Sequence, residues 1–307
     1  MLETAKGRTE RLSWKDALAR AGLLQLPAAH DALTARLIER AGFTAFQVGG
    51  FALVGSRYAH PDVDLEHYGE KLMGVREIIG ASPLPVLVDA DDGYGDVKNV
   101  TRTIRGYEAI GASAIFIEDQ QAPKRCGHMG GKHVVPVEVM EQKVRAAAAA
   151  RGNPDTFLLA RTDAIAPEGL SAALRRAEHY LEAGADGVYV EGPSTTEELI
   201  EIGRKFKGVP LATSVLERGG KTPWLAPADF EELGFTMVLY PTSVLFRATS
   251  AIERALADLI AGRPLSADDS VDMERFEDIV RLEDWAAVED EFQQQSLLKR
   301  AVKSVLG

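Results

Sequence analysis

A helical stretch, a glycine and a short apolar run follow one another repeatedly along the chain. Four copies are visible: residues 37–43 before 45–48, 107–112 before 114–117, 181–186 before 187–190, and 233–235 before 237–240. The glycine suits the left-handed position that ends many helices, and a continuous apolar run suits a strand buried on both faces. The repeat therefore predicts buried strands joined by helices.

Four further apolar runs bring the predicted strands to eight. They are Leu23 to Leu26, Pro85 to Val88, Thr156 to Leu159 and Val209 to Ala212. Because amphipathic helices such as 170–182 and 195–205 alternate with the runs, the pattern predicts parallel βαβ units. We expect an α/β protein with a (β/α)8 TIM barrel, and an open doubly wound sheet is the second choice. No Gly-x-Gly-x-x-Gly motif follows an early strand, so dinucleotide binding has no support.

The pattern changes near residue 265, where acidic helical segments replace the alternation of strands and helices. The two segments are Met273 to Leu282 and Trp285 to Val305. We therefore expect a barrel catalytic domain over residues 1–264 and a C-terminal helical extension over residues 265–307.

Composition narrows the class of protein. The chain has 307 residues, of which 46% are hydrophobic and 26% are charged, as expected of a globular protein. Its net charge of −11 opposes binding to nucleic acid or to anionic lipid. Residues 1–12 lack the apolar stretch of a signal peptide, and no run of 18 apolar residues follows. We expect a cytoplasmic protein with Cys126 reduced.

Polar residues follow six of the predicted strands. They are Gly49-Gly50, Asp89 to Gly95, Glu118-Asp119, Arg161 to Asp163, Glu191-Gly192 and Thr213-Ser214. In a barrel the catalytic groups sit at the carboxyl ends of the strands, so these residues should meet in one pocket. Several carboxylates at one mouth repel each other unless a cation holds them. Hard oxygen ligands, without a histidine cluster, indicate Mg2+ or Mn2+.

The only cysteine lies in a glycine-rich loop after the fourth strand. Lys124, Arg125 and His128 flank Cys126, and neighbouring cations favour the thiolate, so we expect a lowered thiol pKa. Such a thiol can donate or accept a proton, and the glycines allow movement. The sequence predicts a mobile catalytic loop. The alternatives are a buried apolar cysteine and a loop whose Lys124 and His128 are merely surface residues.

Two further features have a functional and a structural interpretation. Arg161 ends an apolar run, so its guanidinium can point into the mouth as a carboxylate clamp, or it can form a structural ion pair with Asp163 or Glu191. The backbone amides of Gly49 and Gly50 suit an oxyanion, although two glycines can also form a simple turn.

Five motifs occur in order along the chain. They are Asp89-Ala90-Asp91-x-Gly93-Tyr94-Gly95, Glu118-Asp119-Gln120, Lys124-Arg125-Cys126-Gly127-His128, Ala160-Arg161-Thr162-Asp163-Ala164 and Gly219-Gly220-Lys221-Thr222-Pro223. With these motifs the chain resembles the isocitrate lyase/phosphoenolpyruvate mutase superfamily from about residue 12 to 300. The cysteine loop resembles the lyase branch, and carboxyphosphonoenolpyruvate mutase shares it. The resemblance implies a TIM barrel, a terminal helix swapped between subunits of a homotetramer, and Mg2+ or Mn2+ in the mouth.

The resemblance also implies roles for individual residues. Asp62, Asp89, Asp91 and Glu118 would surround the metal and its waters, with Asp91 as the direct ligand. Cys126 would be the acid that protonates a departing enolate. Lys124, His128 and a metal-bound water are candidate bases, and Arg161 would hold substrate. Further substrate contacts are expected from Gly49, Gly50, Phe51, Gly127, Glu191, Ser214 and Arg247.

Several positions depart from the family pattern. Gly49-Gly50-Phe51 replaces Ser-Gly-Gly or Thr-Gly-Ser, Ser214 aligns with an Asn, Arg218 is an insertion, and Asp92 replaces a Thr. Arg247 comes one residue later than the arginine that meets the third carboxylate in methylisocitrate-type lyases. One residue on a helix is a rotation of about 100°, so this arginine should turn away from the pocket. The Phe51 and Arg247 changes favour a smaller, partly apolar dicarboxylate such as a substituted malate.

The expected function is that of a metal-dependent C–C lyase. It would cleave a 2-hydroxy di- or tricarboxylate into a 2-oxo acid and a carboxylate. Hydrolysis or decarboxylation of oxaloacetate, a phosphonomutase reaction, and a metabolite-binding protein without catalysis are the alternatives.

Overall fold

Eight parallel strands form one sheet in the computed structural model, which describes residues 11–264 and 269–293. The strands are β1 Leu24–Pro27, β2 Phe46–Val48, β3 Val86–Asp89, β4 Ala114–Glu118, β5 Phe157–Thr162, β6 Gly187–Val190, β7 Leu211–Ser214 and β8 Met237–Tyr240. Ladders join neighbours from β2 through to β8, and β8 pairs with β1. A parallel bridge between Ala28 and Gln47 links the ends of β1 and β2. The predicted TIM barrel is therefore confirmed.

Helices precede the first strand, lie between the strands and follow the last one. They are α1 Trp14–Ala21, α2 Ala32–Arg40, α3 Gly50–Tyr58, α4 Tyr68–Ala81, α5 Val97–Ala109, α6 Val137–Ala150, α7 Ile165–Glu168, α8 Leu170–Glu182, α9 Thr196–Lys205, α10 Pro227–Glu232, α11 Ser243–Ile260 and α12 Met273–Ile279. Residues 282–293 are also helical.

The four glycines of the repeated pattern have the backbone conformation that the sequence predicts. Gly42, Gly111, Gly184 and Gly234 have φ of +88°, +96°, +110° and +94°. Each lies shortly after a helix and before a strand, where a residue with a side chain would be strained. These glycines allow the chain to leave each helix and turn directly into the barrel.

Strand β5 extends beyond its predicted end at Leu159. Its ladder with β4 continues through the pair Glu118 and Arg161, and its ladder with β6 reaches Thr162. The apolar run stops earlier because the last residues of β5 are polar. The register with both neighbours carries the strand onward and places Arg161 inside the barrel wall.

The interior of the barrel is filled by large apolar side chains. Leu24, Leu87, Phe116, Leu159, Tyr189 and Met237 belong to one buried cluster. Trp14 of α1 is fully buried in the same cluster, and Ser13 caps α1 by accepting a hydrogen bond from the backbone N–H of Asp16. The barrel is therefore a packed core rather than a pore.

The chain divides into two compact units. The larger unit, Arg11–Thr249, contains all eight strands, and the second unit begins at Ser250. The predicted domain boundary at residue 264 stays a prediction. Of the two predicted terminal helices, the first is observed as α12, and the second is helical over 282–293. Its remaining residues lie outside the described part of the chain.

Within residues 11–264 and 269–293, no helix combines the length and the apolar character needed to cross a membrane.

Candidate active site

Five polar side chains follow the last apolar layer of the barrel interior. They are Asp89 after Leu87, Glu118 after Phe116, Arg161 after Leu159, Glu191 after Tyr189 and Ser214 after Ala212. Side chains two residues apart on a strand share a face, so these five share the interior face with the core. The strands thus bring them together at the carboxyl end of the barrel.

A cluster of carboxylates and lysines lies at this end. Lys124 Nζ is 2.5 Å from Asp62 Oδ1 and 2.7 Å from Asp91 Oδ1, and Lys71 Nζ contacts Asp91 Oδ2. Asp89 joins the cluster because its Oδ1 accepts a hydrogen bond of 2.9 Å from the backbone N–H of Asp91. The structure therefore unites Asp62, Asp89, Asp91 and Lys124.

Asp91 adopts a left-handed backbone conformation with φ of +47°. Few residues with a side chain adopt it, and such a conformation costs of order 1–3 kcal/mol unless the surroundings enforce it. Here the carbonyl of Asp91 accepts a hydrogen bond from Glu118 N–H at 2.8 Å, and Lys143 Nζ donates to the next carbonyl, that of Asp92, at 2.8 Å. In this conformation, which Asp adopts more readily than most residues, the Asp91 carboxylate contacts the two lysines.

The charges in this cluster are unequally distributed. Burial alone would raise the pKa of Asp91, but Lys124 and Lys71 hold it well below its usual range. Burial and the neighbouring Asp91 raise the pKa of Asp89, and burial raises that of Glu118 well above its usual range despite Arg161. Asp91 is therefore the carboxylate that stays ionised most firmly.

Lys124 does not suit the role of a general base. Burial would lower its pKa, but Asp91 and Asp62 outweigh that effect and raise the pKa well above its ordinary value. A lysine held as an ammonium ion cannot accept a proton. This geometry removes Lys124 from the candidate bases.

The residues present fit a hard divalent cation that keeps most of its waters. Buried oxygen Glu118 Oε1 has no hydrogen-bond partner, and Asp91 Oδ1 has an ion-pair neighbour in Lys124 but no hydrogen bond. Over the described ranges, no group of three or more His, Cys, Asp or Glu side chains is arranged to hold a metal. Mg2+ does not need such a cage, since one or two carboxylates with water and substrate commonly bind it. Asp91 could supply the direct carboxylate, and Glu118 could hold a coordinated water.

The cysteine loop is seated on the segment before α4. The backbone N–H of Cys126 donates to the carbonyl of Asp62 at 3.2 Å, and Lys124 N–H donates to Asp64 Oδ2 at 3.3 Å. At the base of the loop, Gln120 and Val134 form an antiparallel bridge. The loop is thus anchored at its base and at its tip, next to the carboxylate cluster.

The pKa of Cys126 is raised, and the prediction of a lowered pKa is wrong. Burial raises the pKa of the thiol to about 11, and the backbone hydrogen bond from His128 only partly opposes it. The flanking cations do not act on the sulfur as the sequence suggested, because Lys124 is paired with Asp62 and Asp91. Cys126 is therefore protonated at neutral pH, the state that a proton donor needs.

His128 reaches across the mouth to two other strand ends. Its Nε2 lies 3.0 Å from Ser214 Oγ and 3.1 Å from Glu191 Oε1, while its Nδ1 accepts from the backbone N–H of Lys221 at 3.5 Å. The hydrogen therefore belongs on Nε2, an assignment made from the contacts. A nucleophilic serine triad places the acid and the serine on opposite ring nitrogens, so this group is not one.

Burial lowers the pKa of His128 below its ordinary value, although Glu191 opposes the change. The imidazole is therefore neutral at neutral pH.

Arg161 is held by an acid that lies just beyond the end of its own strand. Its Nε and Nη2 donate to Asp163 Oδ2 and Oδ1 at 2.9 and 3.0 Å, and Nε lies 3.4 Å from Glu118 Oε2. Lys132 Nζ also binds Asp163 Oδ1, at 2.7 Å. The structural ion pair considered for Arg161 therefore exists, and it orients the guanidinium beside Glu118.

Gly127 brings the loop backbone against two of the expected substrate-binding residues. A Cβ atom at this position would lie 2.3 Å from Arg161 Nη2 and 2.9 Å from Glu191 Cδ. Any residue with a Cβ atom at this approach would require the loop, Arg161 or Glu191 to shift.

The predicted substrate contacts on α3 and α11 differ in their position relative to the carboxylate cluster. Gly50 lies at the cluster, since a Cβ there would be 3.2 Å from Asp89 Oδ2, but its N–H already donates to that oxygen at 2.9 Å. In this arrangement the Gly50 amide is not free for an oxyanion. Phe51 packs edge-on against Phe246 with ring centroids 5.9 Å apart. Arg247, the next residue, lies apart from the cluster, because its exposed guanidinium pairs with Glu217 Oε1 at 2.5 Å.

Sequence reasoning missed Lys71, Lys132 and the role of Asp163. A signal existed for Lys71, because it occupies the buried stripe of α4 with Tyr68, Val75 and Ile78. A lysine on an apolar stripe indicates a buried charge with a partner. Lys132 had no comparable signal, because the loop that carries it has no periodic pattern.

Known proteins identify the family of the chain. Residues 15–260 match the family model described as phosphoenolpyruvate phosphomutase. The chain is 41% identical over 251 residues to 2,3-dimethylmalate lyase of Eubacterium barkeri, covering 82% of this chain and 84% of that protein. It is 41% identical over 232 residues to 2-methylisocitrate lyase of Bacillus subtilis (strain 168), covering 76% and 75%. The chain belongs to the phosphoenolpyruvate phosphomutase family, in the phosphoenolpyruvate mutase/isocitrate lyase superfamily that its motifs predicted.

Solved structures of related enzymes share the barrel. Oxaloacetate acetylhydrolase in complex with 3,3-difluorooxalacetate superposes with a TM-score of 0.86 at 27% identity, covering 91% of this chain and 95% of that one. Phosphonopyruvate hydrolase in complex with oxalate and Mg2+ superposes with a TM-score of 0.82 at 30% identity, covering 92% and 100%. The prediction of an enzyme is confirmed, and the named lyases support carbon–carbon bond cleavage.

Proposed function

We propose that the protein is a Mg2+-dependent lyase that cleaves an alkylmalate into a 2-oxo acid and a carboxylate. The observation that carries the proposal is the half-buried, protonated thiol of Cys126 on a loop seated beside the carboxylate cluster. A C–C lyase of this type needs an acid that protonates a carbanionic product. A thiol with a raised pKa is available in that form at neutral pH.

The proposed metal site is centred on Asp91. Its ionised carboxylate would bind Mg2+ directly, and Asp62, Asp89 and Glu118 would hold the coordinated waters. A bound divalent ion, here Mg2+ or Mn2+, stabilises negative charge on the oxygens of the 2-oxo acid product. The unpartnered oxygen of Glu118 and the deep ionisation of Asp91 support this assignment.

Arg161 and His128 would orient the substrate. A guanidinium has five N–H donors, and Asp163 accepts from Nε and Nη2, which leaves donors for a substrate carboxylate. His128 is neutral with its hydrogen on Nε2, beside Glu191 and Ser214, so it would orient the substrate as a hydrogen-bond donor. The loop that carries Cys126 covers the mouth and keeps water from the carbanion.

The preference for an alkylmalate rests on the wall near α3 and α11. The Phe51 and Phe246 rings offer apolar surface. Arg247 pairs with Glu217 and so is not available to bind a third carboxylate of the substrate. The similarity to 2,3-dimethylmalate lyase agrees with this preference. The similarity to 2-methylisocitrate lyase keeps the tricarboxylate as the main competitor.

A substrate panel tests the proposal. Purified protein with Mg2+ is assayed for 2-oxo acid release from 2,3-dimethylmalate, 2-methylisocitrate and isocitrate, and for turnover of oxaloacetate and phosphonopyruvate. We expect the highest kcat/KM for 2,3-dimethylmalate. Preference for either tricarboxylate, lost in Arg247→Ala, would contradict the assignment of the apolar wall. Oxaloacetate turnover above all others would favour the hydrolase alternative, to which the similarity with oxaloacetate acetylhydrolase points.

The assembly and location complete the proposal. We propose a homotetramer with terminal helices exchanged between subunits, acting in the cytoplasm on a small carboxylate. The assembly is what the resemblance of the motifs to the superfamily implies. Size-exclusion chromatography with light scattering measures the mass directly, and a monomer of 33.2 kDa would contradict it.

A further inference from the structure

Asp119 follows the candidate metal ligand Glu118 and points away from the mouth, into a buried polar network. Its Oδ1 accepts the backbone N–H of Asp163 at 2.8 Å, and its Oδ2 accepts the hydroxyls of Thr162 and Tyr180, each at 2.7 Å. The side chain is fully buried. A carboxylate with three short hydrogen bonds is firmly fixed, and so is the peptide of Asp163 that it holds.

Asp163 in turn contacts residues on two sides of the site, the barrel wall and the cysteine loop. Its carboxylate binds Arg161 through Nε and Nη2 and binds Lys132 Nζ at 2.7 Å. Lys132 Nζ in turn donates to the carbonyl of Gly127, the residue after Cys126. One acid therefore holds a side chain of the barrel wall and the tip of the loop.

The backbone of Asp119 also forms hydrogen bonds at the base of the cysteine loop. Its carbonyl accepts the N–H of Val135 at 2.9 Å, and its N–H donates to the carbonyl of Arg161 at 3.2 Å. Main chain and side chain of one residue thus fix the loop base to the end of β5.

We infer that Asp119 is a positioning residue, which fixes Asp163 and thereby aligns Arg161 with the loop that carries Cys126. The inference rests on the proposed function for its catalytic consequence, but the seating of the loop can be measured without turnover. Asp119 touches no reacting atom. Its effect passes through Asp163.

The charges explain why an acid is needed at this position. Asp119 and Asp163 are adjacent buried carboxylates, and Arg161, Lys132 and Arg176 lie around them, with Arg176 Nη1 at 3.6 Å from Asp119 Oδ2. An asparagine would keep an acceptor for the Asp163 N–H but would present an N–H2 group to the hydroxyls of Thr162 and Tyr180. Those hydroxyls would have to turn, and the end of β5 would shift with them.

A second carboxylate that binds the backbone of β5 offers a matched control for Asp119. At the start of β5, Asp186 Oδ2 accepts the backbone N–H of Leu158 at 2.8 Å and pairs with Arg151. Asp186→Asn therefore makes the same chemical change to a carboxylate that holds β5, far along the strand from the loop. It should affect stability without affecting the loop.

The experiment compares Asp119→Asn, Asp186→Asn and the unmodified protein by alkylation of Cys126 with iodoacetamide, with and without oxalate and Mg2+. We expect Asp119→Asn to raise the alkylation rate about tenfold and to weaken protection by oxalate with Mg2+. With the best substrate of the panel, kcat should fall about 10- to 100-fold with a smaller change in KM. Asp186→Asn should behave as the unmodified protein in both assays.

Equal alkylation rates in Asp119→Asn and Asp186→Asn would overturn the inference. If the unmodified protein has no lyase activity, the proposed function fails, whereas the alkylation rates still decide the role of Asp119. Should Asp119→Asn not fold, Tyr180→Phe removes one donor from the same carboxylate. That variant is expected to raise the alkylation rate about two- to fivefold, and an unchanged rate would equally overturn the inference.

Discussion

Adding a methyl group at position 127 should impair closure of the cysteine loop without impairing folding of the protein. In Gly127→Ala the new Cβ would lie 2.3 Å from Arg161 Nη2, whereas ordinary contact begins near 3.4 Å, so the atoms must separate by about 1 Å. Arg161 cannot easily give way, because Asp163 holds it at 2.9 and 3.0 Å. The loop should move instead.

The magnitude follows from the cost of overpacking. Forcing one extra carbon into a packed site typically costs about 1–3 kcal/mol. If that cost falls on the closed state of the loop, the ratio of closed to open loop drops about 5- to 150-fold, since 1.4 kcal/mol is a factor of ten. We expect kcat to fall by up to that factor, while the melting temperature changes little because the open loop avoids the clash.

Gly130→Ala is the matched control in the same loop. A Cβ at Gly130 would meet nothing within 4 Å, and neither glycine has a left-handed φ. The assay measures kcat and KM with the best substrate, and the rate of Cys126 alkylation reports whether the loop is seated. Equal kcat values in the two variants would refute the closed geometry described for Gly127.

Three further predictions concern the carboxylate cluster and the thiol. Asp91→Asn, which tolerates the left-handed backbone, should abolish Mg2+ binding by calorimetry and turnover; normal activity in metal-buffered assay would remove Asp91 as the ligand. Cys126→Ser should lower kcat about 10²- to 10⁴-fold with oxalate binding nearly unchanged, whereas a loss below about threefold would reduce Cys126 to packing. Because burial raises the pKa of Cys126 to about 11, the thiolate is scarce at pH 8. Compared with a free cysteine of pKa about 8.5, alkylation at pH 8 should be slower by about two orders of magnitude. The rate should still climb above pH 9, and a plateau by pH 9 would contradict the burial of the sulfur.

The fold was predictable because its signals are local. A buried parallel strand is a short apolar run, and the glycine after a helix needs a positive φ; both are visible in the sequence around Gly42 and Gly111. The strand-end residues were predictable for the same reason, since Glu118 and Arg161 directly follow such runs.

Properties that depend on distant parts of the chain were not predictable. Neighbours in the sequence suggested an acidic thiol, whereas burial under the folded loop raises its pKa to about 11. Lys124 seemed available as a base until the fold placed Asp62 and Asp91 on its ammonium group. The partners of Lys71 and Lys132 are likewise set by packing between elements.

The fate of one proton tests the lyase reaction and the role of Cys126 most directly. The protein is incubated with 2,3-dimethylmalate and Mg2+ in D2O, and the products are followed by NMR. We predict pyruvate and propionate, with one deuterium at C2 of propionate delivered to a single face, and loss of this reaction in Cys126→Ser. Intact substrate after prolonged incubation, or deuteration that is equal on both faces and unchanged in Cys126→Ser, would contradict a lyase with Cys126 as its acid.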